Sequence, residues 1–297
     1  MTKGIITGIK RFEIHDGDGI RTTLFLKGCP LNCLWCHNPE NLSPKPQLMF
    51  FSDKCIGCRK CETVCKNHRF SSRIHQIDRK DCILCGACAQ RCPTKALRLS
   101  GYAVTPEEVL PQLLEDRIFY EGSGGGVTLS GGEPLAQPEF TAALLKLLKE
   151  NGIHTAVDTC LFASRASLDR VIPWTDLFLV DIKAIDSGVH QRCTGQTNGQ
   201  ILENIHYLDR LDKAMEIRVP FIPDHNDAQM EAIAAFIAAL SRSHSVTLLP
   251  YHDYGNSKAL RLGMEAAQIS QPEPAGIRLA LDIFRRFGLT IANSAAE

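Results

Sequence analysis

The 297-residue sequence predicts an α/β fold, an open, partial (β/α)6 TIM-like barrel that a small cysteine-rich domain interrupts. Short apolar stretches alternate with longer amphipathic segments, as in parallel sheets with right-handed crossovers. Six such units are too few to close an ordinary eight-stranded barrel. Most of the thirteen cysteines lie at short spacings, many of them within residues 52–100. We therefore divide the chain into a barrel, residues 1–51 and 101–297, and an inserted domain, residues 52–100.

Local patterns place the barrel elements in order. The predicted strands are 22–26, 127–130, 153–158, 176–182, 215–221 and 246–251. The predicted helices are about 106–120, 138–151, 165–172, 200–213, 228–242 and 273–287. The first helix has Thr105 as its cap and Pro106 at its first position. The second ends before Gly152, and the fifth has one apolar face, formed by Ile233, Phe236, Ile237 and Leu240.

Each predicted strand is followed by, or carries near its end, a polar or cysteine side chain. In strand order these are Cys29, Glu133, Asp158, Asp181 with Lys183, Arg218, and His252. Because the carboxyl ends of parallel strands meet at one edge of a sheet, we expect these groups to share one site.

Charge and hydropathy bound the function classes. Lys+Arg and Asp+Glu both number 33, which argues against nucleic-acid binding. The first residues lack the apolar run of a signal peptide, and no stretch is long and apolar enough to span a membrane. We expect a cytoplasmic monomer that binds neither nucleic acid nor membrane. The clustered cysteines favour metal binding over disulfides.

The inserted domain carries two runs with the spacing C-x2-C-x2-C-x3-C, which is the bacterial ferredoxin pattern for two 4Fe–4S clusters. In that pattern the last cysteine of each run ligates the other cluster. The first insert cluster is assigned to Cys55, Cys58, Cys61 and Cys92. The second insert cluster is assigned to Cys82, Cys85, Cys88 and Cys65. Structural zinc is the alternative, but zinc ribbons usually show two separated C-x2-C pairs.

The insert has eleven basic and four acidic residues, a net charge of +7. This excess offsets the negative charge of thiolate-bound clusters, and it also suits docking of an acidic electron donor such as a flavodoxin or a ferredoxin.

A third cysteine group, Cys29, Cys33 and Cys36, has the spacing C-x3-C-x2-C after the first strand. A cluster held by three thiolates keeps one iron open for a substrate, as catalytic metal sites do. The alternative is a fourth ligand from elsewhere in the chain, for which the candidates are His37, Cys160 and Cys193.

The loop Cys29–Cys36, with an aromatic residue before the last cysteine, resembles the radical S-adenosylmethionine (SAM) signature. The wider sequence resembles the glycyl-radical-enzyme activating family, typified by pyruvate formate-lyase activating enzyme, in its longer type with a two-cluster insert. The matching blocks, in order, are DGDGIR (16–21), CHN (36–38), GGGVTLSGGEPL (124–135), VDTC (157–160), VDIK (180–183) and LPYH (249–252).

The resemblance implies an anaerobic oxidoreductase. Reductive cleavage of SAM would give a 5′-deoxyadenosyl radical that takes a Cα hydrogen from a glycine of a partner protein. The alternatives are a radical SAM enzyme acting on a small molecule or RNA, and an electron-transfer iron–sulfur protein. Neutral charge argues against RNA, and an electron carrier would leave the GGE and VDIK blocks without a purpose.

The resemblance also implies roles for individual residues. Gly131, Gly132 and Glu133 would meet the amino group of SAM, and Lys183 and Arg218 its carboxylate. Asp158 and Asp181 would hold ribose hydroxyls or a monovalent cation, with Asp16 near the partner's glycine. The remaining cofactor contacts would be Trp35, Cys36 and His37 at the adenine, with Ile182 and His252.

Two positions depart from the family pattern. Asp18 stands where the family usually has proline, which puts the loop shape or the partner preference in doubt. Leu161 replaces the glycine of the family's DTNG or DTCG turn, which predicts a different turn there.

Overall fold

A computed structural model describes residues 2–72 and 74–292. Its nine-stranded central sheet contains β1 (Gly4–Glu13), β2 (Arg21–Leu26), β7 (Tyr102–Val104), β8 (Gly126–Gly131), β9 (His154–Thr159), β10 (Leu177–Asp181), β11 (Met215–Phe221), β12 (Ser245–Pro250) and β13 (Thr290–Ile291). Two smaller sheets pair β3 (Gln47–Phe50) with β6 (Leu97–Ser100), and β4 (His68–Ser71) with β5 (Ile74–Ile77).

The described residues also form ten α-helices, of which α1 lies in the inserted segment. They are α1 (Ala87–Arg91), α2 (Pro106–Leu114), α3 (Arg117–Ser123), α4 (Pro138–Glu150), α5 (Arg165–Val171), α6 (Ser187–Thr194), α7 (Gly199–Arg210), α8 (Met230–Ala238), α9 (Tyr254–Leu262) and α10 (Pro274–Arg286). Within residues 2–72 and 74–292, no helix combines the length and apolarity needed to cross a membrane.

The strand order confirms the α/β fold with a mostly parallel central sheet. Strands β2, β8, β9, β10, β11 and β12 are neighbours in that order, and each pair is parallel. These are the six strands that the sequence predicts. The order ends at β13 on one side and at β7 on the other, so the sheet is open. All six parallel strands therefore direct their carboxyl ends to one rim.

The hydrophobic core lies where the sheet meets its covering helices. Leu129, Val157 and Ile217 have no exposed surface, and Leu144 of α4 and Ile205 of α7 belong to the same cluster. Burying one such side chain stabilises the fold by about 1.5–3 kcal/mol. This core fixes the strands, and the strands position the rim.

Several elements differ from the sequence-based expectation. The ten-residue β1 was not predicted; it runs antiparallel to β2 and to β7. The helix expected at 106–120 is two helices, α2 and α3. Asp116 separates them, since its backbone oxygen accepts from Phe119 while its carboxylate binds Arg11 and Thr22. Helices α6 and α9 were also missed, and both contact the cysteine loop described below.

The inserted segment has its own small core. β3 and β6 pair in antiparallel fashion and bring the two ends of the segment together. Leu48, Cys61, Cys88 and Leu97 are buried in one cluster. The domain division at residues 52 and 100 remains a prediction. Gln47, which lies before residue 52, already pairs with Ser100 in the β3–β6 ladder. Arg79 links the insert to α9 by donating to the Arg261 carbonyl at 3.0 Å.

Candidate active site

The loop that follows β2 carries Cys29, Cys33 and Cys36 at the carboxyl rim. Neighbouring elements fix its backbone on several sides. The Cys29 N–H donates to the Leu42 carbonyl at 3.0 Å, and the Leu34 N–H donates to the Cys193 carbonyl of α6 at 3.0 Å. On the α9 side, a side chain at Gly255 would place its Cβ 2.2 Å from the Cys36 carbonyl oxygen. The loop therefore needs glycine at that point of contact.

Lys27, immediately before this loop, anchors its far end. The side chain has no exposed surface, and Nζ donates to the carbonyl oxygens of Glu40 at 2.6 Å and Ser43 at 3.1 Å. It also donates to Oε1 of Gln47 in β3 at 3.0 Å. Burial lowers the pKa of Lys27 to about 8. Lys27 thus ties the cysteine loop to the start of the insert, a role that the sequence pattern did not indicate.

The three thiols of the loop differ in their acidity. Burial raises the pKa of Cys33 to about 12 and that of Cys36 to about 11. The side-chain interaction with the Cys160 thiol lowers the pKa of Cys29. Since thiolates are the metal-binding form, loading a metal here releases protons, and the basic Lys183 nearby favours the anions.

The turn after β8 packs tightly against the cysteine loop. Gly131 has φ +117°, and a Cβ at that position would lie 2.3 Å from the backbone of Leu26. A Cβ at Gly132 would lie 2.3 Å from the Gly28 carbonyl oxygen. Only glycine allows this approach, so the two glycines bring the turn directly beside the predicted cluster ligands.

Glu133 is completely buried behind this turn. One carboxylate oxygen accepts from the Thr159 hydroxyl at 2.7 Å and from the Leu135 N–H at 2.9 Å. The other accepts from the N–H and the thiol of Cys160 at 2.8 and 2.9 Å. Burial raises the pKa of Glu133, while these donors oppose the increase. Both oxygens already have protein partners, so the contact between Glu133 and an amino group of SAM remains a prediction.

The two remaining free cysteines occupy defined places around the loop. The thiol of Cys160 points to Glu133, and its interaction with Cys29 is the largest cause of its raised pKa. Cys193 packs with Trp35, and its thiol meets the His225 carbonyl at 3.9 Å. Cys160 therefore lies beside the cysteine loop and serves as a hydrogen-bond donor to its carboxylate neighbour.

Arg218 of β11 lies among three carboxylates. Its NH1 is 3.8 Å from Asp16 and 3.5 Å from Asp158, and its Nε is 3.8 Å from Asp181. Although burial opposes it, these carboxylates raise the pKa of Arg218. The distances are too long for good hydrogen bonds, and Nε and NH1 have no hydrogen-bond partner among the described residues. Arg218 thus has unused donors in the centre of the predicted site.

Lys183 and Asp181 form a closer pair beside Arg218. Lys183 Nζ donates to Asp181 Oδ2 at 2.8 Å, and the lysine side chain is only 8% exposed. Burial opposes ionisation of Asp181, but Lys183 and Arg218 lower its pKa overall. Asn226, which the sequence did not single out, fixes the lysine backbone by donating to the Lys183 carbonyl at 2.8 Å. Ile182, between the pair, is buried in the core.

Asp158 carries the pKa nearest to neutrality in this group. Burial raises its pKa to about 6, although Arg218 and a hydrogen bond from Ser130 at 2.6 Å oppose the increase. Because the carboxylate takes a proton as the pH falls through about 6, its charge attraction to Arg218 and to any bound cation is lost below that pH, and a hydrogen bond that it accepts from a hydroxyl becomes weaker.

We therefore expect SAM to bind more weakly as the pH falls from 7.5 to about 5.5 in the intact protein. In Asp158→Asn, where the group cannot ionise, affinity should be low and nearly independent of pH over this range. Equilibrium binding of SAM at several pH values, with free SAM as the titrant, makes the comparison. A pH dependence that persists unchanged in the asparagine variant would contradict the assignment to Asp158.

An open cavity of about 440 Å3 adjoins the cysteine loop. Its lining includes Cys33, Trp35, Cys36, Tyr251, His252 and Asn256. The volume lies in the range of small-molecule sites. Three predicted cofactor contacts, Trp35, Cys36 and His252, thus line one cavity. His37 stacks on His252, with ring centroids 3.6 Å apart, and burial lowers its pKa to about 4.

Lys258 of α9 was missed at the sequence level, where nothing distinguishes it from a surface lysine. Its Nζ donates to the His37 carbonyl at 3.0 Å and to Asn38 Oδ1 at 2.6 Å. It also pairs with Glu40 at 2.9 Å. Helix α9 therefore fixes the segment that follows Cys36, and only the folded chain reveals this.

Several cysteines of the insert lie close to one another, and the assignment of two clusters to them remains a prediction. One small cavity is lined by Cys55, Cys58, Cys61 and Cys92 together, with aromatic neighbours Phe50 and Phe70. In the other run, burial raises the pKa of Cys88, and Cys65 and Cys82 raise it further. Cys92 therefore lies with the first three cysteines of the other run, and Cys65, like Cys82, lies near Cys88.

Known proteins that resemble this chain define its family. The chain matches the radical SAM superfamily over residues 23–237. It is 40% identical over 276 residues to an isethionate sulfite-lyase activating enzyme of Oleidesulfovibrio alaskensis, covering 89% of both chains. It is 39% identical to a (2S)-3-sulfopropanediol dehydratase activating enzyme of Klebsiella oxytoca, covering 88% of this chain and 86% of the relative.

Solved structures show the same fold. A domain of a pyruvate-formate lyase-activating enzyme from Bacteroides vulgatus is 35% identical, with a TM-score of 0.50, and it covers 57% of this chain and 98% of its own. SuiB of Streptococcus suis, bound to its precursor peptide SuiA, is 13% identical with a TM-score of 0.53 over 90% of this chain and 47% of its own, which supports the fold alone.

The chain therefore belongs to the radical SAM superfamily and, within it, to the activating enzymes of glycyl radical enzymes.

Proposed function

We propose that this protein activates a glycyl radical enzyme by generating a radical on one of that partner's glycines. The observation that supports this most strongly is the identity of about 40% to activating enzymes over 89% of both chains. The sequence identity of this chain to relatives named for a sulfite-lyase, a dehydratase and a benzylsuccinate synthase is 40%, 39% and 39%, a difference of only one percentage point. These identities do not select one partner, so we propose the class.

The residues of the cysteine loop fit a three-thiolate 4Fe–4S cluster with an open iron. Three half-buried thiols lie in one rigid loop, and the nearest further thiol, Cys160, is held by Glu133 at 2.9 Å. His37 is turned to His252, and Cys193 to the His225 carbonyl. The three alternative fourth ligands thus have other partners, which supports an iron that is left free for SAM.

When bound, the cluster and SAM supply reductive cleavage of the sulfonium, giving methionine and a 5′-deoxyadenosyl radical. The protein supplies position and electrostatics. We propose that the unused donors of Arg218, with Lys183, bind the carboxylate of SAM. Asp158 and Asp181 face the same space and suit ribose hydroxyls or a monovalent cation. Trp35, Cys36 and His252, which line one cavity, would border the adenine.

Asp16 lies beside Arg218, with Oδ1 3.8 Å from NH1. Its Oδ2 accepts from the Thr23 hydroxyl at 2.7 Å, and its carbonyl accepts from the Thr128 hydroxyl at 2.7 Å. The loop that carries Asp16 is thus fixed inside the barrel, near Arg218. This placement supports a contact with the partner's glycine loop. Asp18, where the family has proline, accepts from Arg21 through its carbonyl at 3.2 Å.

We further propose that the insert holds the first and second insert clusters and receives electrons. The cavity that Cys55, Cys58, Cys61 and Cys92 share supports the first. The net charge of +7 in the insert suits docking of a flavodoxin or a ferredoxin. We expect the protein to carry out this chemistry as a cytoplasmic monomer under anaerobic conditions.

The test of the enzymatic step is anaerobic incubation with SAM and a reductant, followed by quantification of 5′-deoxyadenosine and methionine. We expect both products in equal amounts. Absence of both from protein with a full iron content would contradict the proposed activity and favour a pure electron carrier.

A further inference from the structure

His75 lies inside the proposed site of the first insert cluster, although the sequence patterns give it no role. It belongs to the hairpin β4–β5 and lines the same cavity as the four cysteines of that site. Its ring is stacked on its cross-strand partner Phe70, with centroids 4.3 Å apart and planes 11° apart. Phe50 meets the ring edge-on at 4.7 Å. The imidazole is therefore held in one orientation.

Both ring nitrogens of His75 have defined neighbours. Nδ1 is 3.7 Å from the Cys55 sulfur, within hydrogen-bonding range for a sulfur acceptor. Nε2 is 2.8 Å from Nδ1 of His68, whose side chain is almost fully buried. Nε2 also lies 3.6 Å from the Cys61 sulfur.

The short contact between the two histidines determines where the protons lie. One nitrogen must donate and the other must accept. If His75 donated from Nε2 as a neutral imidazole, the lone pair of Nδ1 would face Cys55. A metal-bound Cys55 is a thiolate and can only accept, so that arrangement is repulsive. In the favourable arrangement His68 donates to Nε2 at 2.8 Å, so that the lone pair of Nε2 is bound by His68 and does not face the Cys61 sulfur uncompensated. The proton of His75 is then on Nδ1, directed at the Cys55 sulfur.

We propose that His75 is a positioning residue that donates a hydrogen bond from Nδ1 to the Cys55 thiolate and raises the reduction potential of the first insert cluster. His68 selects the required tautomer. The inference rests on the proposed insert clusters and deepens their role in electron entry.

The effect follows from where the electron goes. Reduction adds one electron to the cluster, and part of the added negative charge resides on the ligand sulfurs. A hydrogen bond to a ligand sulfur stabilises the more negative state, so it raises the potential. No proton moves in this step. Charge-assisted hydrogen bonds are roughly twice as strong as neutral ones, so one such contact has a measurable effect.

The alternative role for these residues is to bind a single metal ion. Ligand atoms of Cys61, His68 and His75 all lie within 4.8 Å of one another, as a zinc site would require. That arrangement would take Cys61 and His75 away from the cluster, so the two uses exclude each other and can be distinguished by metal content.

The experiment uses the full chain with Cys29, Cys33 and Cys36 replaced by alanine, so that only the insert clusters contribute to the signal. Potentiometric titration followed by EPR compares this parent with added His75→Phe, His75→Gln or His68→Phe. His206→Phe, at a histidine outside the insert, is the control. At a fixed potential we expect His75→Phe to lower the ratio of reduced to oxidised first insert cluster about tenfold, or ~59 mV. His75→Gln, with an amide donor, should recover part of this shift, and His68→Phe should give a smaller shift in the same direction.

Iron and zinc content separate the outcomes. An unchanged reduction potential in His75→Phe, with about eight irons retained, would overturn the role of His75 and leave the proposed insert clusters in place. A parent with zinc that His75→Phe removes would overturn it in favour of the single-metal site. A parent with neither metal would instead contradict the insert clusters themselves. If His75→Phe loses iron, the reduction potentials of His75→Gln and His68→Phe are the test. The inference is overturned if neither of these variants shifts the potential.

Discussion

Cys33→Ser is expected to abolish SAM cleavage while leaving the insert clusters in place. Cys33 is one of three proposed ligands in the loop after β2, and its thiol is buried there, with a pKa raised to about 12. Loss of a residue that only supports a metal ligand typically costs 10–100-fold, so loss of a ligand should reduce 5′-deoxyadenosine formation by more than ~100-fold. Iron content should fall by about four atoms per chain.

Cys193→Ser is the matched control for this change. Cys193 is buried in the same cluster as Trp35 and packs beside Cys33, but its thiol faces the His225 carbonyl. We expect this variant to keep its iron and its cleavage rate within a few-fold. Equal loss of activity in both variants would show that packing around the loop, and not ligation by Cys33, explains the effect.

Arg218→Leu is expected to destabilise the folded chain strongly. The side chains of Arg218, Asp16, Asp158 and Asp181 are 14–24% exposed, so the guanidinium neutralises largely buried carboxylates. Removing one partner of a buried charge cluster typically costs about 3–5 kcal/mol. For a chain of this size we expect Tm to fall by ~5–10 °C, measured anaerobically by circular dichroism.

The matched control is Arg242→Leu, which removes a surface pair. Arg242 and Asp212 are 46% and 78% exposed, so the cost should stay below ~1 kcal/mol.

The difference in Tm between the Arg218→Leu and Arg242→Leu variants should also shrink at pH 5.5. Burial already raises the pKa of Asp158 to about 6 while Arg218 opposes the increase, so without Arg218 this carboxylate should hold its proton more tightly in the folded than in the unfolded chain, and the Tm of the variant should improve as the pH falls. Equal Tm values for both variants would contradict the role of Arg218.

The parallel strands could be predicted because each is a short apolar run followed by a polar group. β11 begins and ends where the pattern of Met215–Phe221 predicts. Strand β1 escaped prediction because it is half exposed and ends in Lys10, Arg11 and Glu13, so its sequence resembles a loop. Its pairing with β2 depends on tertiary context, which the local pattern does not contain.

The sequence likewise predicts some features of the site and not others. The spacing of cysteines predicts which of them gather, and Cys92 indeed lines a cavity with Cys55, Cys58 and Cys61. Spacing does not show what surrounds them. Three contacts join residues that are at least 20 positions apart in the chain: Cys160 to Glu133, Lys258 to Asn38, and His75 to Cys55. Such contacts follow from how the strands and loops meet in three dimensions.

The most direct test of the account is whether this protein creates a glycyl radical in another protein. The measurement is EPR after anaerobic incubation with SAM, a reductant and a panel of glycyl radical enzymes that includes an isethionate sulfite-lyase and a (2S)-3-sulfopropanediol dehydratase. We predict a stable organic radical on at least one partner, absent when that partner's radical-site glycine is replaced by alanine. Continued cleavage of SAM with no radical on any glycyl radical enzyme, including one encoded beside this gene, would contradict the proposed function.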